Sequence, residues 1–125
     1  MWHKLIGLAV AGALGTMARY GLAGLVQRAH CLGFPLGTLT VNALGCFAFG
    51  LIWTLTQQRF FISGEIRTVI LVGFLGAFTT FSTFLFETDQ FLENAQWLMA
   101  GVNIVTELAA GLLAYLLGAF LGRLI

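Results

Sequence analysis

GFLGAFTTFSTFLFE, residues 73–87, lies in a long apolar run and is nevertheless badly composed for a continuous helix. It sets four hydroxyls (Thr79, Thr80, Ser82, Thr83) and, before Phe86, four phenylalanines (Phe74, Phe78, Phe81, Phe84) around Gly73 and Gly76, and ends on Glu87. Thr and Phe are mediocre helix formers, and the glycines weaken a helix further. As one continuous helix, at about 100° per residue, it would put Thr79, Thr83 and Glu87 on one face and Phe78, Phe81 and Phe84 on the opposite one. Irregular backbone at membrane depth is tolerated where it is buried in protein or lines a cavity, and ion sites form there. The composition therefore predicts a span broken near residues 76–80. Such a break frees carbonyl oxygens for a small cation such as Na⁺. It also leaves amide N–H groups and hydroxyls for an anion, beside phenylalanine ring edges that carry the positive end of the ring quadrupole. A small anion fits such a slot better than a large one.

The surrounding sequence makes lipid the solvent. The 125 residues are one domain at most. They are 59% hydrophobic and only 9% charged, which a soluble domain of this size has too little interior to hide. Four apolar runs, 5–26, 36–57, 68–86 and 98–121, each approach the roughly 20 residues a helix needs to cross a bilayer. The links 27–35, 58–67 and 87–97 are short and leave no room for a soluble catalytic domain, so the chain reads as a non-enzyme. Pro35 precedes the second run, where a helix start tolerates it, and Trp2, Trp53 and Trp97 lie near run ends, as interfacial anchors do. The N-terminal run could pass for a signal peptide, but it continues past Arg19 and three more runs follow, which favours a mature multi-span protein. A net charge of +1 gives no electrostatic footprint for nucleic acid. Cys46 reads as a small core residue and Cys31 as a free thiol in a loop; no zinc or redox spacing is present.

Small residues recur at helical spacing, at Gly7, Ala11 and Gly15, at Gly33 and Gly37, and at Gly118 and Gly122, which suits close helix packing in lipid. Four short helices enclose little interior, so a polar pathway is easier to build between two copies than inside one. Lys4, Arg59, Arg67 and Arg123 fall on the N-terminal side, against Arg28 and Arg19 on the other, a lean toward an inside N-terminus.

Ionisable or amide groups at membrane depth are expensive, with Arg, Lys or Asp at about 2.5–3.5 kcal/mol on insertion scales, so Arg19, Asn42, Asn103 and Glu107 each need an account. Thr38, Asn42, Gly45 and Phe49 share one helical face, and Asn42 is either an anion donor or an interhelical hydrogen-bonding residue. Asn103, Glu107 and Gly111 form a second stripe, in the fourth run. Arg19 suits either helix-end carbonyls or attraction of an anion.

With GALGTMARY (12–20), PLGTLTVNALG (35–45) and GFLGAFTTFSTF (73–84) in this order on the first three spans, the chain resembles the Fluc (CrcB-type) fluoride channels over essentially its whole length. The resemblance implies an all-α membrane protein in which two copies insert in opposite directions as an antiparallel, dual-topology homodimer with two fluoride pathways. It implies that Phe81 and Phe84 form an aromatic box along which fluoride moves, that Asn42 is a pore-lining donor, and that Ser82, Thr83 and Thr38 add hydroxyls. Backbone carbonyls of Gly76 and Thr79 would hold a structural Na⁺ at the dimer interface, and Arg19 would lie near an aqueous vestibule. Many relatives place a Tyr and hydroxyl residues where the fourth-span stripe here carries Asn103 and Glu107. That makes these two possible pathway residues, and an ionised carboxylate there would oppose a fluoride ion.

The expected function is passive, fluoride-selective export across the cell (inner) membrane, reducing fluoride toxicity. No P-loop is present for ATP-driven pumping. One alternative is a small multidrug-type proton-coupled exporter, which needs a carboxylate in its first span; no acidic residue precedes Glu65. The other is a non-transporting membrane assembly subunit, which would leave the broken third span and Asn42 without a reason.

Overall fold

In the computed structural model, which describes residues 2–30, 33–58 and 62–125, the apolar runs become helices. α1 (Trp2–Ala29) and α2 (Leu36–Gln58) are continuous. α3 covers residues 64–78 in three parts: an α-turn at Gly64–Thr68, a π-helical stretch at Val69–Leu75 and a last α-turn at Gly76–Phe78. After Thr79 and Thr80 the chain resumes as α4 (Phe81–Glu93), and α5 (Trp97–Leu124) completes the bundle. Four units are long and apolar enough to cross a membrane: α1, α2, the α3–α4 pair and α5. This is the expected all-α, four-span architecture with its third span interrupted.

The helices overrun the apolar runs. Residues 64–67 and 87–93, expected in connections, are helical, so the third span runs over Gly64–Glu93 and only residues 94–96 link α4 to α5. Hydropathy marks the lipid boundary, whereas caps mark the helix end. The Ser63 hydroxyl accepts from the Ile66 N–H at 3.3 Å and starts α3. α4 ends where Gln96 N–H reaches back to the Phe91 carbonyl at 2.8 Å, with Ala95 in the left-handed region at φ 56°. Pro35 accepts the Leu39 N–H at 3.2 Å and opens α2, as its position predicts. Cys31, expected to be a free thiol, and Arg59, counted in the charge asymmetry, lie outside the described residues.

Close approach of backbones holds the bundle. α2 crosses α5 so tightly that a Cβ on Gly118 would strike the Phe47 carbonyl oxygen, and one on Gly50 that of Tyr115. The stripe Gly7, Ala11, Gly15 does what its spacing predicts. It faces Val69, Gly73 and Phe74 of the π-helical stretch, and Gly15 lies against the Phe74 carbonyl. The buried apolar core is small (Val41, Leu71, Leu75, Phe78 and Phe84 among its members), while the leucines of α5, such as Leu112, Leu113 and Leu116, stay on the surface. That distribution belongs to a chain whose outer solvent is lipid.

The π-helical winding was not expected from composition. Its bonds reach five residues back, as in Gly76 N–H to the Leu71 carbonyl. The extra residue per turn rotates the end of α3 relative to its start and delivers Thr79 to the face of α2.

Candidate ion pathway

Helical order stops at two residues. Thr79 (φ −91°, ψ 159°) and Thr80 (φ −150°, ψ 114°) are extended, and Thr80 starts α4 by accepting the Thr83 N–H on its hydroxyl at 3.2 Å. The same hydroxyl donates to the Thr83 hydroxyl at 2.9 Å and lies 3.3 Å from that of Ser82. Gly45 of α2 lets the break come close, since a Cβ there would meet the Thr79 methyl.

Asn42 pins the interruption. Its Oδ1 accepts the Thr80 N–H at 2.8 Å and its Nδ2 donates to the Thr80 carbonyl at 3.1 Å. The first bond satisfies a backbone donor that lost its helical partner, the second adds to the carbonyl that opens α4 as its N-cap, and together they fix which end of the amide points where. Nδ2 also donates to Glu107 Oε2 at 3.1 Å. Both amide hydrogens are therefore engaged, and Asn42 joins α2, the break and α5. Of the two readings open for this residue, interhelical bonding is the one the geometry displays; donation to an anion requires exchange of the Glu107 bond.

Diverting these N–H groups frees carbonyls. The Thr80 N–H would bond Gly76 in a continuous helix, and the Thr83 N–H would bond Thr79; both go to side chains instead. Gly76 is exposed on the surface of the chain. Two neutral oxygens released at one place fit a hard monovalent cation, and among the described residues no cluster of three His, Cys, Asp or Glu offers another metal site.

Two cavities meet at Thr80. The larger, about 700 Å³, is lined by Arg19 of α1, Thr38 of α2 and Thr83 and Glu87 of α4, among others. In it Thr38 donates to Glu87 Oε1 at 2.6 Å, while Glu87 Oε2 is buried without a partner. The smaller, about 290 Å³, is lined by Asn42, Cys46, Thr80, Phe81, Phe84 and Glu107. Phe81 and Phe84 pair there with centroids 5.3 Å apart and planes tilted by 60°, so the edge of one ring is offered beside the other. The break removes Phe78 from this pair, although one continuous helix would have aligned all three. Phe78 is buried and stacks on Phe74, with centroids 6.0 Å apart.

Asn103 stands behind Phe84. It is fully buried and donates to the Thr88 hydroxyl at 2.9 Å, which donates in turn to the Phe84 carbonyl at 2.8 Å. It lines neither of the two cavities. Glu107, one turn further along α5, does line the smaller cavity. The structure thus brings together Thr38, Asn42, Phe81, Ser82, Thr83, Phe84 and Glu107 around the break, sets Arg19 in the larger cavity and places Asn103 outside both. Sequence reasoning left Glu87 as a loose end and missed Thr88. The polar face Thr79–Thr83–Glu87 predicted a location for Glu87, but its partner Thr38 lies on another helix. Thr88 follows Phe84 by one turn, a spacing shared by many threonines that bond only their own helix.

The chain is similar in sequence to known proteins over essentially its whole length. The family described as "CrcB-like protein, Camphor Resistance (CrcB)" matches residues 6–119. A protein of Nitrosococcus oceani named "Fluoride-specific ion channel FluC" is 50% identical over 125 residues, covering all of both chains. Proteins of the same name from Desulforapulum autotrophicum and Hydrogenovibrio crunogenus are 51% and 46% identical, the first over the full length of both chains and the second over 96% of this chain and 91% of its own.

Proposed function

The chain belongs to the CrcB-like family, and from that premise we propose that it is a fluoride-selective ion channel, not an enzyme, exporting cytoplasmic fluoride passively through the cell (inner) membrane. It is a multi-pass membrane protein by its four apolar helices and its channel relatives. The observation that carries the reading is the interrupted third span, with the Phe81–Phe84 edge, the Thr80–Thr83–Ser82 hydroxyls and the Asn42 amide gathered at one break.

Fluoride collects in the larger cavity, where the guanidinium of Arg19 favours an anion and the Thr83 hydroxyl replaces part of its water, joined by the Thr38 hydroxyl when it exchanges its bond to Glu87. It then passes Thr80 and moves along the edges of Phe81 and Phe84. Selectivity follows from size and from hydrogen-bond acceptance. Fluoride is the smallest halide and the strongest acceptor, so donors that replace its hydration shell serve it better than chloride. Ser82 lies exposed at the start of α4, where it takes or releases the ion.

Two copies in antiparallel, dual-topology arrangement complete the pathway. Phe81 supports this reading: it is 65% exposed in a single chain, an odd position for a ring meant to line a pore unless a second surface covers it. The freed carbonyls of Gly76 and Thr79, two from each copy, would hold a structural Na⁺ between the subunits. A cation bound there would supply charge that offsets the repulsion among those carbonyl oxygens.

Purified protein in liposomes, loaded in turn with fluoride and chloride, tests the function. Fluoride efflux far above that of protein-free vesicles, with chloride retained, is the expected result. Comparable chloride efflux overturns it.

A further inference from the structure

Glu107 is difficult to reconcile with an anion pathway as an ionised group. It is 94% buried, as its relative exposure of 6% states. Its Oε2 accepts from Asn42, while Oε1 is buried with no hydrogen-bond partner. It shares its cavity with the Phe81–Phe84 pair and with apolar residues such as Leu108 and Leu112. No Lys, Arg or His lines that cavity. The titratable groups facing Glu107 from the elements packed against it are Cys46 on α2, in the same cavity, and Glu87 on α4, one turn beyond Phe84. On its own helix Tyr115 lies two turns away and packs on Phe49. Neither Gly76 nor Thr79 is a hydrogen-bond partner of Glu107. Among the described residues of these elements the one Lys, Arg or His is Arg123, more than four turns along α5 from Glu107.

A buried carboxyl oxygen with no donor, on a side chain that lines a mostly apolar cavity without a cation, is costly as an anion and useful as an acid. We propose that Glu107 works in its protonated form as a hydrogen-bond donor to fluoride, the O–H on Oε1 holding the ion beside the ring edges of Phe81 and Phe84 while Oε2 keeps its bond from Asn42. The inference rests on the channel reading above and deepens it. Fluoride exchanges one hydrogen bond for the next and the proton stays on Glu107, so no covalent bond forms or breaks. When the carboxyl ionises, the donor becomes an acceptor, the charge repels fluoride, and the Asn42 N–H is held more tightly. Conduction is therefore full where Glu107 keeps its proton and falls as pH rises through its titration. Glutamine supplies a permanent neutral N–H donor at the same place.

Fluoride efflux from liposomes, measured between about pH 5 and about pH 9 with protein-free vesicles subtracted for HF leak, tests this in wild type, Glu107→Gln and Glu107→Ala. Wild-type flux should fall with rising pH, by about tenfold per unit once most of the groups are ionised. Glu107→Gln should conduct at every pH with a flat profile, and Glu107→Ala should be slower at every pH, by about tenfold or more. A flat wild-type profile, or a Glu107→Gln profile that still falls as the wild type does, overturns the role of the proton while leaving the channel intact. Absence of flux above protein-free vesicles at every pH in wild type overturns the channel reading itself. Infrared spectra give a readout independent of transport. Wild type minus Glu107→Gln should show the C=O band of a protonated carboxylic acid where flux is full, and that band should shift when fluoride is added. A difference spectrum showing only carboxylate bands at that pH overturns the proposal, whether or not the variants conduct.

Discussion

α2 meets its neighbours in two chemically opposite ways. Toward its C-terminal end it presses against α5 through Gly50 and Gly118, where backbone carbonyls fill the space a side chain would take. Nearer its start it meets the break and α5 through Asn42, where one amide serves Thr80 and Glu107 at once. The first contact fixes how close two helix axes lie; any apolar lipid-facing pair with small residues can make it. The second fixes a non-helical backbone at membrane depth and leaves oxygens over. The glycine seam sets helix spacing, and the polar junction is where the proposed ion chemistry lies.

Breaking the seam should have the largest effect. Gly118→Val places a branched side chain against the Phe47 carbonyl, where overpacking costs about 1–3 kcal/mol or more. Loss of monodisperse protein in size-exclusion chromatography, with no recoverable flux, is expected; normal yield and melting would show that the crossing can open. Phe81→Ile and Phe84→Ile address the other region. Both should abolish fluoride efflux while the protein stays folded and dimeric, and near-normal flux would remove the pair from the pathway. Asn42→Leu joins the two effects. It strands the buried N–H of Thr80 at about 1–3 kcal/mol, so a lower melting temperature should accompany a flux loss of about tenfold or more. Unchanged stability would mean that the break holds without its amide.

Smaller changes sharpen the contrast. Thr88→Val removes the link from Asn103 to the Phe84 carbonyl and should cost about 1 kcal/mol with a modest fall in flux, measured by thermal unfolding and efflux on one preparation. Ala95→Gly relieves a left-handed alanine beyond both regions. It should raise stability by about 1 kcal/mol and leave flux unchanged.

The sequence alone determined the solvent, the number of spans and the place of the interruption. Those follow from local properties: run length against bilayer thickness, and weak helix formers next to glycines. It also pointed to Asn42, Glu107 and the cluster Phe78, Phe81 and Phe84 as residues in need of a reason, because a polar group or an aromatic cluster at membrane depth is conspicuous in one dimension; the family resemblance narrowed the cluster to Phe81 and Phe84. Only the tertiary structure decided the partners. That Asn42 binds the break, that Thr38 meets Glu87, that Asn103 supports Phe84 from behind, and that Phe78 leaves the aromatic pair all depend on contacts between helices far apart in the chain. The π-helical turn that rotates Thr79 toward α2 belongs to the same class. Periodicity assumes a uniform winding, and a register set by Gly45, Gly15 and the facing backbones overrides it.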